Sequence, residues 1–428
     1  MQFNPFIYGR ALTPDEFLGR QKLLRRVFGK LATGQSTAII GDPHIGKTSL
    51  LKYIADADAR RGFGVAGYFK NDLFCFLDAQ TLHGIESQAQ FWQQALKPLS
   101  DRLSARPNHA LATLYRTAEE NEFGTFVLEQ LLREFHRVGG RLILSFDEFD
   151  AFLNNPVLHK AEFYGGLRSL ASRFPAFVLL IASRQQLDQL NQLTQEINPH
   201  GSPYFNVFTE YSVGVLTRQA TEDLLIRAGS NFDQDDRNFV QDISGRHPYL
   251  AQTAAAMLWE VHEEGLRGKE RYRETGHRLY HQSKKHFADT WRVWTNQKRK
   301  AVTAVALAQI PYLAEGRTFK VNQLTNDLYD YTPELETLKL SGLVDKHKDG
   351  QWYVTQHAFL WWLADELWRN VRDEMDFRTW LQRNTMDGVL TRGEKQRMGQ
   401  IAQNIRSWAD RGAMTFIEAY AKQLTGGV

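Results

Sequence analysis

Thr37-Ala38-Ile39-Ile40-Gly41-Asp42-Pro43-His44-Ile45-Gly46-Lys47-Thr48-Ser49 is the stretch that decides the fold. A short apolar run leads into a loop that matches Gly-x-x-x-x-Gly-Lys-Ser/Thr at every fixed position, and a helical pattern over residues 49–56 follows. Gly41 and Gly46 let the backbone curl around phosphate without a Cβ in the way. The N–H groups of Asp42, His44 and Ile45 (Pro43, after Asp42, has none) and the helix start at Ser49 then face the anion. Lys47 is expected at the β- and γ-phosphates, and Thr48 is expected to place its hydroxyl oxygen on Mg²⁺. His44 fills a variable position and is expected to contribute its backbone. Residues 41–48 therefore read as a nucleotide-phosphate loop.

Outward from the loop, apolar strand-like runs at residues 74–77, 141–146, 177–182 and 206–212 alternate with helical patterns. Runs apolar along their whole length suit strands buried on both faces, hence a parallel sheet with helices on either side. The run Leu142-Ile143-Leu144-Ser145-Phe146 ends in Asp147-Glu148-Phe149-Asp150. Strand ends in such sheets line the ligand crevice. Asp147 is thus expected to hold Mg²⁺ through water, and Glu148 to polarise an attacking water as general base. The next run ends in Ser183-Arg184, and either residue is placed to sense a γ-phosphate.

The chain has 428 residues, a formal net charge of +3 and a single cysteine, Cys75. That length predicts several domains. One cysteine excludes an internal disulfide or a multi-cysteine zinc site, and its apolar neighbours make Cys75 a buried strand thiol. The small net charge is no signature of nucleic-acid binding. No apolar run approaches membrane length, and the first residues carry neither a basic segment nor a long apolar one, so a cytoplasmic location is expected.

After residue 213 strand runs nearly stop. Helices are expected over residues 216–228, 233–244 and 249–262, with a break at Gly245-Arg246-His247-Pro248. The stretch 265–300, rich in Lys, Arg and His, reads as a linker or an exposed helical face. Residues 298–310, 321–328 and a helix starting at Thr332-Pro333, followed by two short strands around Asp349-Gly350, read as a winged helix. The expected plan is an α/β P-loop NTPase core with a parallel five-stranded sheet (residues 1–212). A helical lid (213–290), a winged helix (291–370) and a small all-α tail (371–428) follow.

Asn4-Pro5-Phe6, Phe17-Leu18-Gly19-Arg20, the phosphate loop and the Asp147-Glu148-x-Asp150 strand end together resemble the STAND class of signal-transduction ATPases. These are relatives of the AAA+ ATPases and of NLR-type switches, and the chain looks nearest to their prokaryotic group over residues 4–363. The resemblance implies adenine rather than guanine, and no Asn-Lys-x-Asp motif argues otherwise. It implies adenine or ribose contact by Gly19 and Arg20, adenine packing by Pro248, and contact between His357 and the β-phosphate of ADP. Ala358 departs from the acidic residue that often follows that histidine. It further implies slow ATP hydrolysis, a nucleotide-dependent homo-oligomer, and a protein effector or sensor partner.

Two other functions compete. A winged-helix DNA regulator would use residues 333–340, but Glu334 and Glu336 there oppose phosphate; Arg292, Lys298, Arg299 and Lys300 offer an alternative basic run. A AAA+ remodelling ring would use the same phosphate-loop residues plus an arginine finger, which no residue identifies.

Overall fold

The computed structural model describes residues 3–105, 109–199, 201–315, 331–371 and 373–384, with residues 399, 402, 417, 418, 420 and 421. The chain forms two compact units. One comprises Ala11–Asp42 and Gly46–Val213; the other comprises Met1–Arg10, Pro43–Ile45 and Gly214–Val428.

The first unit is an α/β layer structure. In chain order it contains α1 (Gln21–Ala32), β1 (Thr37–Ile40), α2 (Lys47–Ala55), α3 (Ala57–Gly62) and β2 (Leu73–Asp78). Then come α4 (Gln88–Ala95), α5 (Lys97–Ser104), α6 (Ala110–Glu120), α7 (Thr125–Arg137) and β3 (Leu142–Asp147). It closes with α8 (Ala161–Arg173), β4 (Phe177–Ser183), α9 (Leu187–Leu193) and β5 (Thr209–Ser212). All five strands are parallel, in the order β2-β3-β4-β1-β5. This is the parallel five-stranded sheet the apolar runs predict.

Burial explains those runs. Every residue of β1, β3 and β4 is buried, so both faces must be apolar. Strand β5 is an edge strand with alternating exposure, which lets it carry Thr209 and Glu210. It is shorter than the 206–212 run because Tyr204–Val207 forms a 3₁₀ turn that buries Tyr204 and Phe205. Cys75 is buried in β2, and burial pushes its thiol up to about 12. The helices follow the usual apolar stripe: α1 buries Leu24, Val27, Phe28 and Leu31, and α7 buries Leu128, Leu131, Leu132 and Phe135.

One ion pair sets the register of β2 on β3. The backbone N–H and Nε of Arg141 both donate to the Asp72 carboxylate, at 2.9 Å each. The same guanidinium donates to the carbonyls of Tyr68 (2.7 Å) and Leu31 (3.1 Å), and also to that of Ala32. With the strand starts tied, Leu73 pairs with Leu142 and, at the far end, Asp78 pairs with Asp147. The pair is largely buried, so removing one partner is expected to cost about 3 kcal/mol.

Among the described residues, the second unit is helical apart from one hairpin. It contains α10 (Arg218–Leu225), α11 (Gln234–Ser244), α12 (Pro248–Glu263), α13 (Gly268–Val293), α14 (Asn296–Glu315) and α15 (Thr332–Leu340). The hairpin β6 (Val344–Lys346) and β7 (Trp352–Val354) is antiparallel and turns at Asp349-Gly350, with Gly350 at φ 87. Helices α16 (His357–Asn370) and α17 (Glu374–Arg383) follow. Side-chain caps start several helices: Thr217 accepts from Ala220 N, and Asp233 and Asp236 form a reciprocal capping box. Pro248 opens α12 at its first turn, where its missing N–H costs nothing.

The stretch 265–300, read as a linker or an exposed helical face, holds α13 and the start of α14, and α13 carries a full buried stripe. Tyr272, Thr275, Gly276, Leu279, Tyr280, Ser283, His286, Phe287, Thr290 and Trp291 recur at helical spacing between charged residues. High charge density hid an amphipathic period of ordinary form. The helix expected at 321–328 lies outside the described residues. Trp361 and Trp362 are both buried and diverge: Trp362 packs on Phe287, Trp291 and Phe359, whereas Trp361 borders Gly276.

The Asn4-Pro5-Phe6 opening is a strap on α12. Asn4 Nδ2 donates to Ala256 O at 3.2 Å, Ile7 N donates to Gln252 Oε1 at 3.0 Å, and Phe6 stacks on Phe232.

Candidate nucleotide-phosphate site

The phosphate loop leaves β1 and enters α2 as the sequence pattern requires. Gly41 N donates to Ser183 O at 3.2 Å, so the loop springs from a position fixed against β4. Gly46 has φ 95 and serves as N-cap of α2; His44 also sits in the left-handed region, at φ 59. A glycine reaches φ 95 without strain, which a residue with a Cβ would not. Leu12 N donates to Ser49 Oγ at 3.0 Å, so the segment before α1 lies along α2. Phe17 packs on Tyr53 of α2, with ring centroids 4.8 Å apart.

Lys47 is buried, with its ammonium donating to Gly41 O at 2.8 Å and Asp42 O at 3.1 Å. Burial lowers its pKa, while the carboxylates of Glu148, Asp42 and Asp150 oppose that shift. The loop carbonyls thus hold the ammonium at the mouth of the loop.

Asp147 ends β3 and is 3% exposed. Burial raises its pKa; a hydrogen bond from the Thr48 hydroxyl and one from Glu148 N, at 3.1 Å, act the other way. The Thr48 hydroxyl and the Asp147 carboxylate are therefore side by side. They form a hard-oxygen pair of the kind Mg²⁺ takes when phosphates and water supply its other ligands. Among the described residues, no cluster of three or more His, Cys, Asp or Glu is placed to hold a metal ion. Mg²⁺ bound with a nucleotide needs no such cluster. Asp78, paired with Asp147 in register, instead accepts from Gln80 N at 2.9 Å and caps a turn.

Glu148 follows at φ 49, a left-handed conformation that turns its carboxylate away from the strand direction. Its Oε2 meets Arg184 Nη2 at 2.8 Å. Arg184 N donates to Asp150 Oδ1 at 3.2 Å, so backbone and side chain of Arg184 both engage the Asp147–Asp150 turn. Ser183 is fully buried, and its Oγ accepts from Gln185 N at 3.0 Å. Of the two sensor candidates, Ser183 shapes the turn and Arg184 reaches toward the carboxylates. The sheet order explains the meeting: β4 lies between β1 and β3, so the residue after β4 stands between the phosphate loop and Glu148. Asp150, which sequence reasoning left without a role, anchors Arg184; its place two residues after Glu148 was the available signal.

The remaining sequence candidates fall elsewhere. Gly19 (φ 75) and Arg20 (φ 64) make the left-handed entry to α1, and burial lowers the Arg20 guanidinium to about 10. Pro248 and His357 belong to the helical unit. The His357 ring is edge-on to Tyr420, with centroids 4.8 Å apart, and burial lowers its pKa. Pro43–Ile45 also count with that unit, where His44 packs on Tyr249 at 5.0 Å and on His286 at 5.3 Å.

No family model matches this chain, and no curated protein matches it. Solved structures do. The Walker-type ATPase of Pyrococcus abyssi aligns over 84% of this chain and 99% of its own, at TM-score 0.54 and 15% identity. The Aeropyrum pernix ORC2 protein aligns over 92% of this chain and 96% of its own, at TM-score 0.44 and 13% identity. A STAND protein with a tetratricopeptide repeat sensor from Pyrococcus horikoshii aligns over 97% of this chain and 56% of its own, at TM-score 0.32 and 13% identity. At such identity the first of these speaks for the fold alone. With the strand–loop–helix at β1 and α2, it makes the first unit a P-loop NTPase fold. No helix among the described residues is long and apolar enough to cross a membrane.

Proposed function

We propose that this chain is a Mg²⁺-dependent ATPase that works as a nucleotide-gated switch with slow turnover. The observation that carries this reading is the Arg184–Glu148 ion pair beside Lys47 and the Thr48–Asp147 pair. In the reaction, the oxygen of a water bonds to the γ-phosphorus as the bond from γ-phosphorus to the bridging oxygen breaks. ADP leaves with that electron pair, and Glu148 takes the water's proton. Lys47 exchanges its loop carbonyls for β- and γ-phosphate oxygens. Thr48 directly, and Asp147 through water, would hold Mg²⁺, which would supply charge neutralisation at those oxygens.

Arg184 has two competing anions, Glu148 and a γ-phosphate. While it pairs with Glu148, the base is occupied by a guanidinium. When it turns to the γ-phosphate, Glu148 is released to water. Such an exchange makes hydrolysis conditional, which suits a switch. Gly19 and Arg20 are assigned to the adenosine, and Pro248 and His357 to closure of the lid and the hairpin-bearing segment over ADP. The ATP state opens or oligomerises to engage a protein effector or sensor. Differential affinity sustains such a device: a ligand at about 1,000 times its Kd stabilises the state it prefers by about 4.1 kcal/mol.

DNA binding through α15 gains no support from its one lysine, or from the lysine that ends β6. Lys339 pairs with Asp345 at 3.2 Å and Lys346 with Glu336 at 3.4 Å. Arg299 caps α13 through the carbonyls of Trp291 and Arg292.

The test is to denature freshly purified protein and identify any released nucleotide by ion-exchange chromatography. Near-stoichiometric ADP supports the switch. A site without nucleotide, combined with rapid steady-state hydrolysis, sinks it in favour of a turnover ATPase.

A further inference from the structure

Gly276 lies in the middle of α13, where glycine costs about 1 kcal/mol relative to alanine. Its missing side chain leaves room for one group. A Cβ built there would meet Ile417 Cγ2 at 2.7 Å, inside any tolerated contact, while Trp361 Cη2 would lie at an ordinary 3.6 Å. Ile417 is 1% exposed, so it is seated on α13 rather than passing over it.

Tyr420, three residues on and on the same helical face, makes a second set of contacts. Its hydroxyl donates to Asp242 Oδ2 of α11 at 2.8 Å. Its ring stacks on Phe239 of α11, with centroids 6.1 Å apart. It also meets His357 edge-on at 4.8 Å and Trp361 at 6.5 Å, both on α16. Two side chains of the C-terminal segment thus touch α11, α13 and α16 together. Burial, reinforced by Asp242, pushes the phenol pKa far up, so the hydroxyl keeps the proton it donates.

We propose that Ile417 and Tyr420 form a C-terminal latch that fastens α16 to α11 and α13 and keeps the His357 ring covered. The occupant of this seat is the chain's own C-terminal segment, and Gly276 is the socket that admits it. Undocking uncovers Phe239, Trp361 and His357 as one surface. Under the switch reading His357 faces ADP, so a docked latch withholds it. That consequence rests on the switch reading, whereas the latch itself does not.

Full-length protein tests the latch by hydrogen exchange over residues 417–421 and 357–370. Gly276→Ala improves helix propensity, so without a docked latch it slows exchange or leaves it unchanged. With the latch, it is expected to speed exchange of the 417–421 amides at least ~10-fold by pushing Ile417 out. Gly276→Ala with Ile417→Ala removes the clashing methyls and is expected to restore exchange to within ~3-fold of wild type. Tyr420→Phe keeps the ring and loses the bond to Asp242, with an expected ~5-fold rise. Unchanged or slower exchange in Gly276→Ala, or a double variant looser than the single one, overturns the proposal. Because exchange is read without nucleotide, its outcome is separate from that of the nucleotide analysis above.

Discussion

Arg184 Nη2 stands 2.8 Å from Glu148 Oε2, and both residues extend from the carboxyl ends of adjacent strands, β4 and β3. The proposed base and its proposed release therefore sit on one ion pair. Glu148→Gln is expected to keep ATP binding and to lower phosphate release at least ~100-fold. Equal turnover in wild type and variant would remove Glu148 from the mechanism.

Arg184→Gln separates two roles. It frees Glu148 but removes a cation from the γ-phosphate. We expect ADP affinity within about 3-fold of wild type, ATP affinity lowered about 10-fold, and slower hydrolysis, since a charge-assisted hydrogen bond is worth about 1.5–3 kcal/mol. Calorimetric titration with ADP and with a non-hydrolysable ATP analogue checks this; equal losses for both ligands would place Arg184 away from the γ-phosphate.

Lys47→Ala should abolish nucleotide binding, and chelating Mg²⁺ should stop hydrolysis. Asp147→Asn has a less obvious outcome. Burial raises the Asp147 pKa above its unfolded value, so the folded chain holds that proton more tightly. Stability from this group is then present at low pH and lost as pH rises through the unfolded and then the folded pKa. At neutral pH the buried charge is a burden, so Asp147→Asn is expected to raise Tm by a few degrees while hydrolysis is lost. A lower Tm in thermal melts without nucleotide would contradict this.

His286 reports on the helical unit. Burial, with His44 opposite, lowers its pKa to about 3, and its Nδ1 has no hydrogen-bond partner among the described residues. His247, Tyr249 and Phe287 also pack on it. An unfolded histidine gains a proton near pH ~6.5 while His286 stays neutral. Stability is therefore full above that pH and falls with acidification toward pH 3, by up to about 1.4 kcal/mol per pH unit. His286→Phe should flatten that slope in denaturant titrations between pH 6 and pH 4; an unchanged slope would assign the acid sensitivity elsewhere.

The phosphate loop and the strands were legible because their signals are local. A glycine loop needs particular residues at fixed spacing, and a doubly buried strand such as β4 can only be apolar. The Arg184–Glu148 pair was half legible: each residue stood out at a strand end, but their meeting depends on β4 lying between β1 and β3. The buried stripe of α13 escaped notice because as many charged residues are interleaved with it. The seat of Tyr420 on Asp242 was out of reach, since 178 positions separate them and neither belongs to a motif.

Arg141 ties the starts of β2 and β3 to the end of α1, at the edge of the sheet opposite Asp147. The sheet is thus moored at one rim, while the other carries the loops proposed to meet the phosphates. In the proposed switch, rearrangement after loss of a γ-phosphate would have to be absorbed by those loops and by the helices they lead into. The strands transmit position without taking up slack, as a clamped blade moves only at its free tip.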